Sequence, residues 1–197
     1  MPEPLSIDQL KVGRLKALQN ADELLNEASI LFDNRCWARV VFLSQIVAEE
    51  IGKYIMVTSV LADTIVNSES FSWRKFWRRY LSHTAKSQNT QVFEDFVLTD
   101  IDSYPAYFKK IRGIVSGLEK GRQISLYSDY IENNFYSPSE LFTEKMATDA
   151  LARARGRMRL ISEFESNSLF KLDGMTAESI RERISAFRDK FRDIWAK

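Results

Sequence analysis

His83 is the single histidine of the chain, and imidazole is the side chain that takes and gives a proton near neutral pH. Arg78 and Arg79 precede it by five and four residues, and Lys86 follows it by three. Cations beside a proton carrier suit chemistry on an anion such as a phosphate, which a guanidinium can hold through two hydrogen bonds. If residues 71–86 form one helix, Trp73, Phe76, Trp77, Tyr80 and Leu81 share one side. Lys75, Arg79, Ser82 and Lys86 share the other, with His83 on the seam. Four-residue spacing puts Arg79 on the face of His83, whereas Arg78 diverges from it by about 140°. The alternative without chemistry is a histidine packed or exposed beside aromatic residues.

Two carboxylates make a second cluster. The segment from Val40 to Leu61 is apolar on nearly every side, yet it carries Glu49, Glu50 and Lys53. Glu49 falls in a row with Phe42, Ile46, Lys53 and Met56, and Glu50 in a row with Leu43, Val47, Tyr54 and Val57. A carboxylate in a core row needs a partner, because an unpaired buried charge costs several kcal/mol. Arg78, Arg79, Lys86 and Arg122 are the candidates, with a local Glu49–Lys53 pair as the purely structural alternative. Gly52, unfavourable in a helix interior by about 1 kcal/mol relative to alanine, predicts the close approach of another helix.

The elements that must position these groups are helical. Seven glycines and four prolines punctuate 197 residues, and 3.6-residue periods dominate, so the expected class is all-α. A first helix is expected over about residues 6–32, capped by Ser6 or Asp8, with Leu10, Leu15, Leu18, Ala21, Leu25, Ala28 and Leu31 as its apolar row. The short link 33–35 favours an antiparallel neighbour. That neighbour, about 36–67, is apolar enough to be the centre of a bundle. A third helix starts near Ser72 and continues or restarts through Leu98, before a break over 99–105. A fourth spans about 106–119 and ends at Gly121. Residues 121–129 have no clean period and are expected to form a connector. A helix over about 139–165 starts at Ser137 or Ser139. It carries Arg153, Arg155, Arg157 and Arg159, either solvated or as a basic surface facing RNA. A linker over 167–175 and a last amphipathic helix over about 176–196 complete the chain.

Composition narrows the function classes. Basic and acidic residues nearly balance, 28 against 27, for a net charge of +1, so any anion site must come from local clustering. One cysteine, Cys36, and one histidine exclude an internal disulfide and argue against a structural zinc site. No cofactor motif is present. The N-terminus lacks the blocks of a signal peptide, and Glu49, Glu50 and Lys53 interrupt the most apolar stretch, so a soluble cytoplasmic protein with no membrane segment is expected. The length suits one domain, 1–197, able to bury roughly 70% of its unfolded surface.

Arg78-Arg-Tyr-Leu-Ser-His83 fits the Arg-x4-His signature of the HEPN superfamily of helical-bundle proteins, many of them ribonucleases. The longer string Phe76–Lys86 resembles the matching stretch of the AbiV abortive infection family of bacterial phage-defence proteins. Ala48-Glu-Glu-Ile-Gly-Lys53 is similar to a second string of that family, and Arg122-Gln-Ile-Ser-Leu-Tyr-Ser-Asp129 to a third. The resemblance implies a HEPN-like antiparallel bundle over about 6–130, with additional C-terminal helices over about 139–196. It implies RNA as substrate and metal-independent cleavage, with His83 handling the proton and Arg78 steadying the phosphate. Arg79 stands where HEPN signatures often have Asn or Asp, which leaves the choice between Arg78 and Arg79 open. Supporting roles fall to Lys86, Glu49, Glu50 and Lys53, and Arg122, Tyr127 and Asp129 form a loop able to cover the site. HEPN ribonucleases commonly dimerise so that two motifs face one cleft, which implies a homodimer; a phage-encoded protein would be the activator. The alternative is a non-catalytic HEPN sensor or adaptor that binds a phage protein or nucleotide.

Overall fold

The computed structural model describes residues 4–66, 71–98 and 104–166, together with Thr176, Glu178, Ser179 and Glu182. The expected linker over 167–175 and most of the last helix lie outside the described residues. The element order is α1 (Ile7–Asp33), α2 (Trp37–Val66), α3 (Trp73–Tyr80), α4 (His83–Leu98), α5 (Tyr104–Ile124), β1 (Asp129–Ile131), β2 (Asn134–Tyr136), α6 (Pro138–Leu141) and α7 (Glu144–Ser166). The fold is an all-α bundle carrying one small hairpin.

Helix α1 begins at Ser6, whose hydroxyl accepts from the Gln9 amide N–H while the Gln9 side chain accepts from the Ser6 N–H. This reciprocal cap satisfies two of the donors that a helix start leaves open. The link to α2 turns through Arg35, at φ 59°, and α1 and α2 pack antiparallel. Leu10 meets Val57 and Leu61 at one end, Ala17 and Ala21 meet Val47, Ile51 and Tyr54 in the middle, and Ala28 meets Val40 and Val41 at the other. Alanines along this stripe let the two backbones approach closely. The buried stripe runs through Leu10, Arg14, Ala17, Ala21 and Ala28. Leu15, expected in that row, is exposed, because it lies one position off the stripe.

Helix α2 is central, as its apolar surround predicts, and packs against α1, α4, α5 and α7. Helix α7 lays Leu151, Ala154, Met158 and Ile161 into the core shared by α1 and α2. On its other side Arg157 is buried and bonded to Glu94 and Gln91 of α4. Arg157 is therefore a tie between helices, not part of the solvated or RNA-facing surface expected of the 153–159 arginines. The expected single helix over 139–165 is also split. Glu140 caps the short α6 by accepting from the Ser137 N–H at 2.7 Å, and Phe142, in extended conformation and buried, anchors the turn into α7.

Three departures shape the candidate site. The 71–98 segment is two helices, because the chain turns at Leu81 and Ser82 and Ser82 restarts the helix by accepting from the Ala85 N–H at 3.3 Å. Leu81, expected on the apolar side, is 72% exposed at this elbow. Helix α5 does not stop at Gly121 but continues to Ile124, so Arg122 is helical. Pro105 sits in the first turn of α5, where its missing N–H costs nothing. Finally, 129–136 is a hairpin with register Asp129–Tyr136, Tyr130–Phe135 and Ile131–Asn134. It is closed by Glu132 and Asn133, at φ 48° and 69°. Two consecutive positive φ values mark the two-residue turn whose twist matches paired strands.

Candidate active site

Helices α2, α4 and α5 meet at Glu49, which is 3% exposed. Helix α4 can come close because residue 52 of α2 is glycine: a Cβ there would lie 2.2 Å from the Lys86 carbonyl oxygen. Thr90 fastens the same crossing by donating its hydroxyl hydrogen to the Ala48 carbonyl at 2.6 Å. This contact fixes the rotation of α4, so that His83 and Lys86, three residues apart, both face α2.

The Glu49 carboxylate gathers three partners. Its Oε2 receives His83 Nδ1 at 2.6 Å and Lys86 Nζ at 3.0 Å, and its Oε1 lies 3.7 Å from Arg122 Nε. Arg122 in turn holds Glu119 through Nη2–Oε1 at 2.6 Å and Nε–Oε2 at 3.3 Å. These charges form one network. The hydrogen bonds from Arg122 hold the Glu119 carboxyl below its ordinary pKa, with the charges of Arg122 and His83 acting in the same direction. Reciprocally, Glu119 is the leading cause that raises Arg122, and the charge of Glu49 adds to it.

The geometry sets the imidazole. A carboxylate can only accept, so the short contact places a hydrogen on Nδ1, and in the neutral form of the ring the lone pair is then on Nε2. The His83 side chain is 49% exposed while the Glu49 side chain is 4% exposed. The imidazole is thus held from behind by a buried anion and open in front. It is the first residue of α4, and a helix start favours an anion nearby, although Ser82 already accepts from the Ala85 N–H.

The other sequence-derived residues divide. Lys86 and Arg122 join the centre. Lys53 pairs with Glu50, not Glu49, and its ammonium stands 5.9 Å from the centre of the Tyr80 ring. The Glu50–Lys53 pair therefore steadies α3 against α2 beside the centre. Arg78 and Arg79, in the last turn of α3, are exposed, and their side chains make no ion pair or hydrogen bond among the described residues. The elbow at Leu81 and Ser82 removes the continuous-helix argument for Arg79. That side chain instead lines a groove of about 320 Å³ with Met56, Val60, Asp63, Phe76 and Asn89. Tyr127 and Asp129 line a second cleft, of about 340 Å³, together with Arg122, Gln123, Leu126 and Ser128. Arg122 is thus shared by the Glu49 centre and this cleft.

Sequence reasoning misses one member of the network, Glu119. It gives His83 the proton but does not pair it with Glu49, although the three-residue spacing from Lys86 marks one helix face. Glu119, three residues before Arg122, carried the same kind of signal once the helix passes Gly121. Among the described residues, no group of three or more His, Cys, Asp or Glu side chains is arranged to hold a metal ion. No helix among them is long and apolar enough to cross a membrane.

Comparison with known proteins adds one finding. The family model for AbiV, HEPN_AbiV, matches residues 9–159, a span that contains every residue of the Glu49 network. No curated protein and no solved structure matches the chain.

Proposed function

We propose, from the premise that this chain belongs to the AbiV family of HEPN proteins, that it is a ribonuclease of phage defence whose centre is His83 held by Glu49. The observation that carries the reading is the half-exposed imidazole with its Nδ1 bonded to a buried carboxylate. That arrangement serves proton transfer more directly than it serves packing.

With Nδ1–H donated to Glu49, Nε2 takes the proton from a ribose 2′-hydroxyl. The 2′-oxygen attacks the adjacent phosphorus, the bond from phosphorus to the 5′-oxygen breaks, and a 2′,3′-cyclic phosphate forms. The leaving 5′-oxygen takes a proton from an acid. As Nε2 gains its proton, the Glu49 carboxylate stabilises the imidazolium. DNA lacks the attacking hydroxyl, so RNA is the substrate class. Arg78, exposed at the end of α3, is free to meet the phosphate oxygens as they gain charge; Arg79 is the alternative, although it lines the neighbouring groove. Lys86 and Arg122 act through Glu49, keeping its negative charge compensated in a buried place.

One site supplies one imidazole, while the reaction needs a base and an acid. A homodimer with two such faces at one cleft supplies both, and the exposed elbow residue Leu81 beside His83 gives that face an apolar contact. The assembled dimer is competent by itself, and a phage-encoded activator would raise its activity on infection.

The test is incubation of total bacterial RNA with purified wild type and His83→Ala in EDTA, with chemical analysis of the new ends. Cleavage by wild type alone, leaving cyclic-phosphate ends, is expected. Cleavage by both proteins would remove His83 from the mechanism. Cleavage by neither, with a phage protein captured instead, would favour a non-catalytic adaptor.

A further inference from the structure

The hairpin β1–β2 carries two aromatic rings that the bundle does not use. Tyr130 and Phe135 are directly opposed across the strands, with ring centres 4.9 Å apart, and they are 57% and 81% exposed. The next pairs in register contribute Ile131 and Tyr136, both half-buried, so the hairpin turns one face to the body and presents the aromatic pair on the other. Hairpins of this size have little intrinsic stability, and exposed rings on them bury no core surface.

The hairpin that carries the pair follows directly in the chain on the residues of the Arg122 cleft. From Arg122 the chain passes through Gln123, Leu126, Tyr127, Ser128 and Asp129, all lining that cleft, directly into β1. The segment is fixed from below, because Arg39 of α2 donates to the Leu126 carbonyl at 3.0 Å. Tyr127, 65% exposed, adds a third ring. The cleft therefore offers an aromatic face, a guanidinium, an amide, a hydroxyl and a carboxylate, which are the groups that stack on a nucleobase and read its polar edge. The apolar surface is confined to a few rings, with the exposed polar residues Asp129, Glu132, Asn133 and Asn134 as their neighbours in the hairpin sequence. A stable protein partner covers about 800 Å² on each side, and so small an apolar patch suits single bases better.

We infer that Tyr127, Tyr130 and Phe135 form a stacking platform for unpaired bases of a single-stranded RNA whose backbone runs past Arg122 toward His83. The inference rests on the reading of His83 as the centre of an RNA-cleaving site and adds how the strand is held. Bases stack on the rings, and the polar side chains of the cleft contact the base next to the reacting phosphate.

The experiment measures binding to the His83→Ala protein, which leaves the RNA uncut, using a fluorescent single-stranded oligoribonucleotide and an abasic ribose-phosphate chain of equal length. The base-bearing probe should bind more tightly. Tyr130→Ala with Phe135→Ala should weaken it by about 10- to 100-fold, the scale of losing base stacking, and should leave the abasic probe unchanged. Phe135→Trp should retain binding, which separates loss of stacking from loss of the hairpin. Equal binding of both probes, no RNA binding, or an unweakened double variant would overturn the inference. So would a double variant that binds RNA normally but sediments as a different oligomer, which would mark the hairpin as a protein interface. The two readings fail separately. Wild type that cuts RNA with no contribution from the hairpin defeats only the platform, and hairpin-dependent binding without any cutting supports the platform and defeats the ribonuclease.

Discussion

Helix α2 carries two polar clusters, and they differ in one respect. At Tyr54, Arg14 of α1 meets Glu165 of α7 through Nη2–Oε1 at 2.7 Å, and the Tyr54 hydroxyl donates to Glu165 at 2.8 Å. At Glu49, an anion likewise meets cations from neighbouring helices. Both clusters lie between helices, and both place charge where water has little access. The Tyr54 cluster contains no imidazole: burial, followed by the charge of Glu165, pushes the Tyr54 phenol well above its ordinary value. The Glu49 cluster ends in a half-exposed imidazole. A buried ion pair is by itself weak evidence for function; an exposed proton carrier anchored to one is stronger.

The contrast breaks most completely at Gly52. Gly52→Ala drives a methyl group against the Lys86 backbone, which cannot move without shifting α4, so a loss of about 3 kcal/mol or more is expected in chemical denaturation. RNA cleavage should fall with it, because His83 and Lys86 ride on that helix.

Removing one anion at a time sharpens the comparison. Glu49→Gln neutralises the carboxylate shared by His83, Lys86 and Arg122, and Glu165→Gln the one that Arg14 meets, and each should cost about 3 kcal/mol. Their effects on cleavage should diverge, however, since only Glu49 holds an imidazole. Tyr54→Phe is milder. It deletes the hydrogen bond donated to Glu165 and the one accepted from Arg14 at 3.3 Å, should cost about 2 kcal/mol in a urea melt, and should leave cleavage unchanged.

The smallest effect concerns acid. The folded-state pKa of Glu119 is lowered, chiefly by hydrogen bonds from Arg122. Its contribution is therefore present above the unfolded pKa and is lost as pH falls through the lower folded value. Wild type should lose about 1 kcal/mol or less over that interval relative to Glu119→Gln, when melting temperatures of the two are compared across an acid series. Equal acid sensitivity would mean that the Arg122–Glu119 pair contributes nothing.

Much of this contrast was legible in the sequence, for reasons that follow from the residues. The apolar surround of α2 predicted its central place, and Gly52 predicted a close helix because glycine in a helix interior costs free energy that packing must return. Glu49 in a core row demanded partners, and Lys86 and Arg122 are two of them. The elbow at Ser82 was not legible, because Trp73–Lys86 satisfies a helical period through it and the restart depends on one serine cap. Nor was the hairpin: Asn133-Asn134 signals a turn, but Tyr130 and Phe135 face solvent and leave no alternation of buried and exposed residues to read. Arg157 looked like surface from its arginine neighbours, and its partners Glu94 and Gln91 belong to a helix more than 60 residues away. Single-chain periodicity records which face is apolar but not which distant helix covers a charge.

The most direct measurement is RNA cleavage per folded molecule in Glu49→Gln and Glu165→Gln, with the folded fraction of each fixed by circular dichroism. The account predicts a fall on the order of 100-fold for Glu49→Gln, the scale of losing an oriented general base, and wild-type activity for Glu165→Gln. Equal activity in the two variants would contradict it, because the Glu49 cluster would then be, like the Tyr54 cluster, only a way of joining helices.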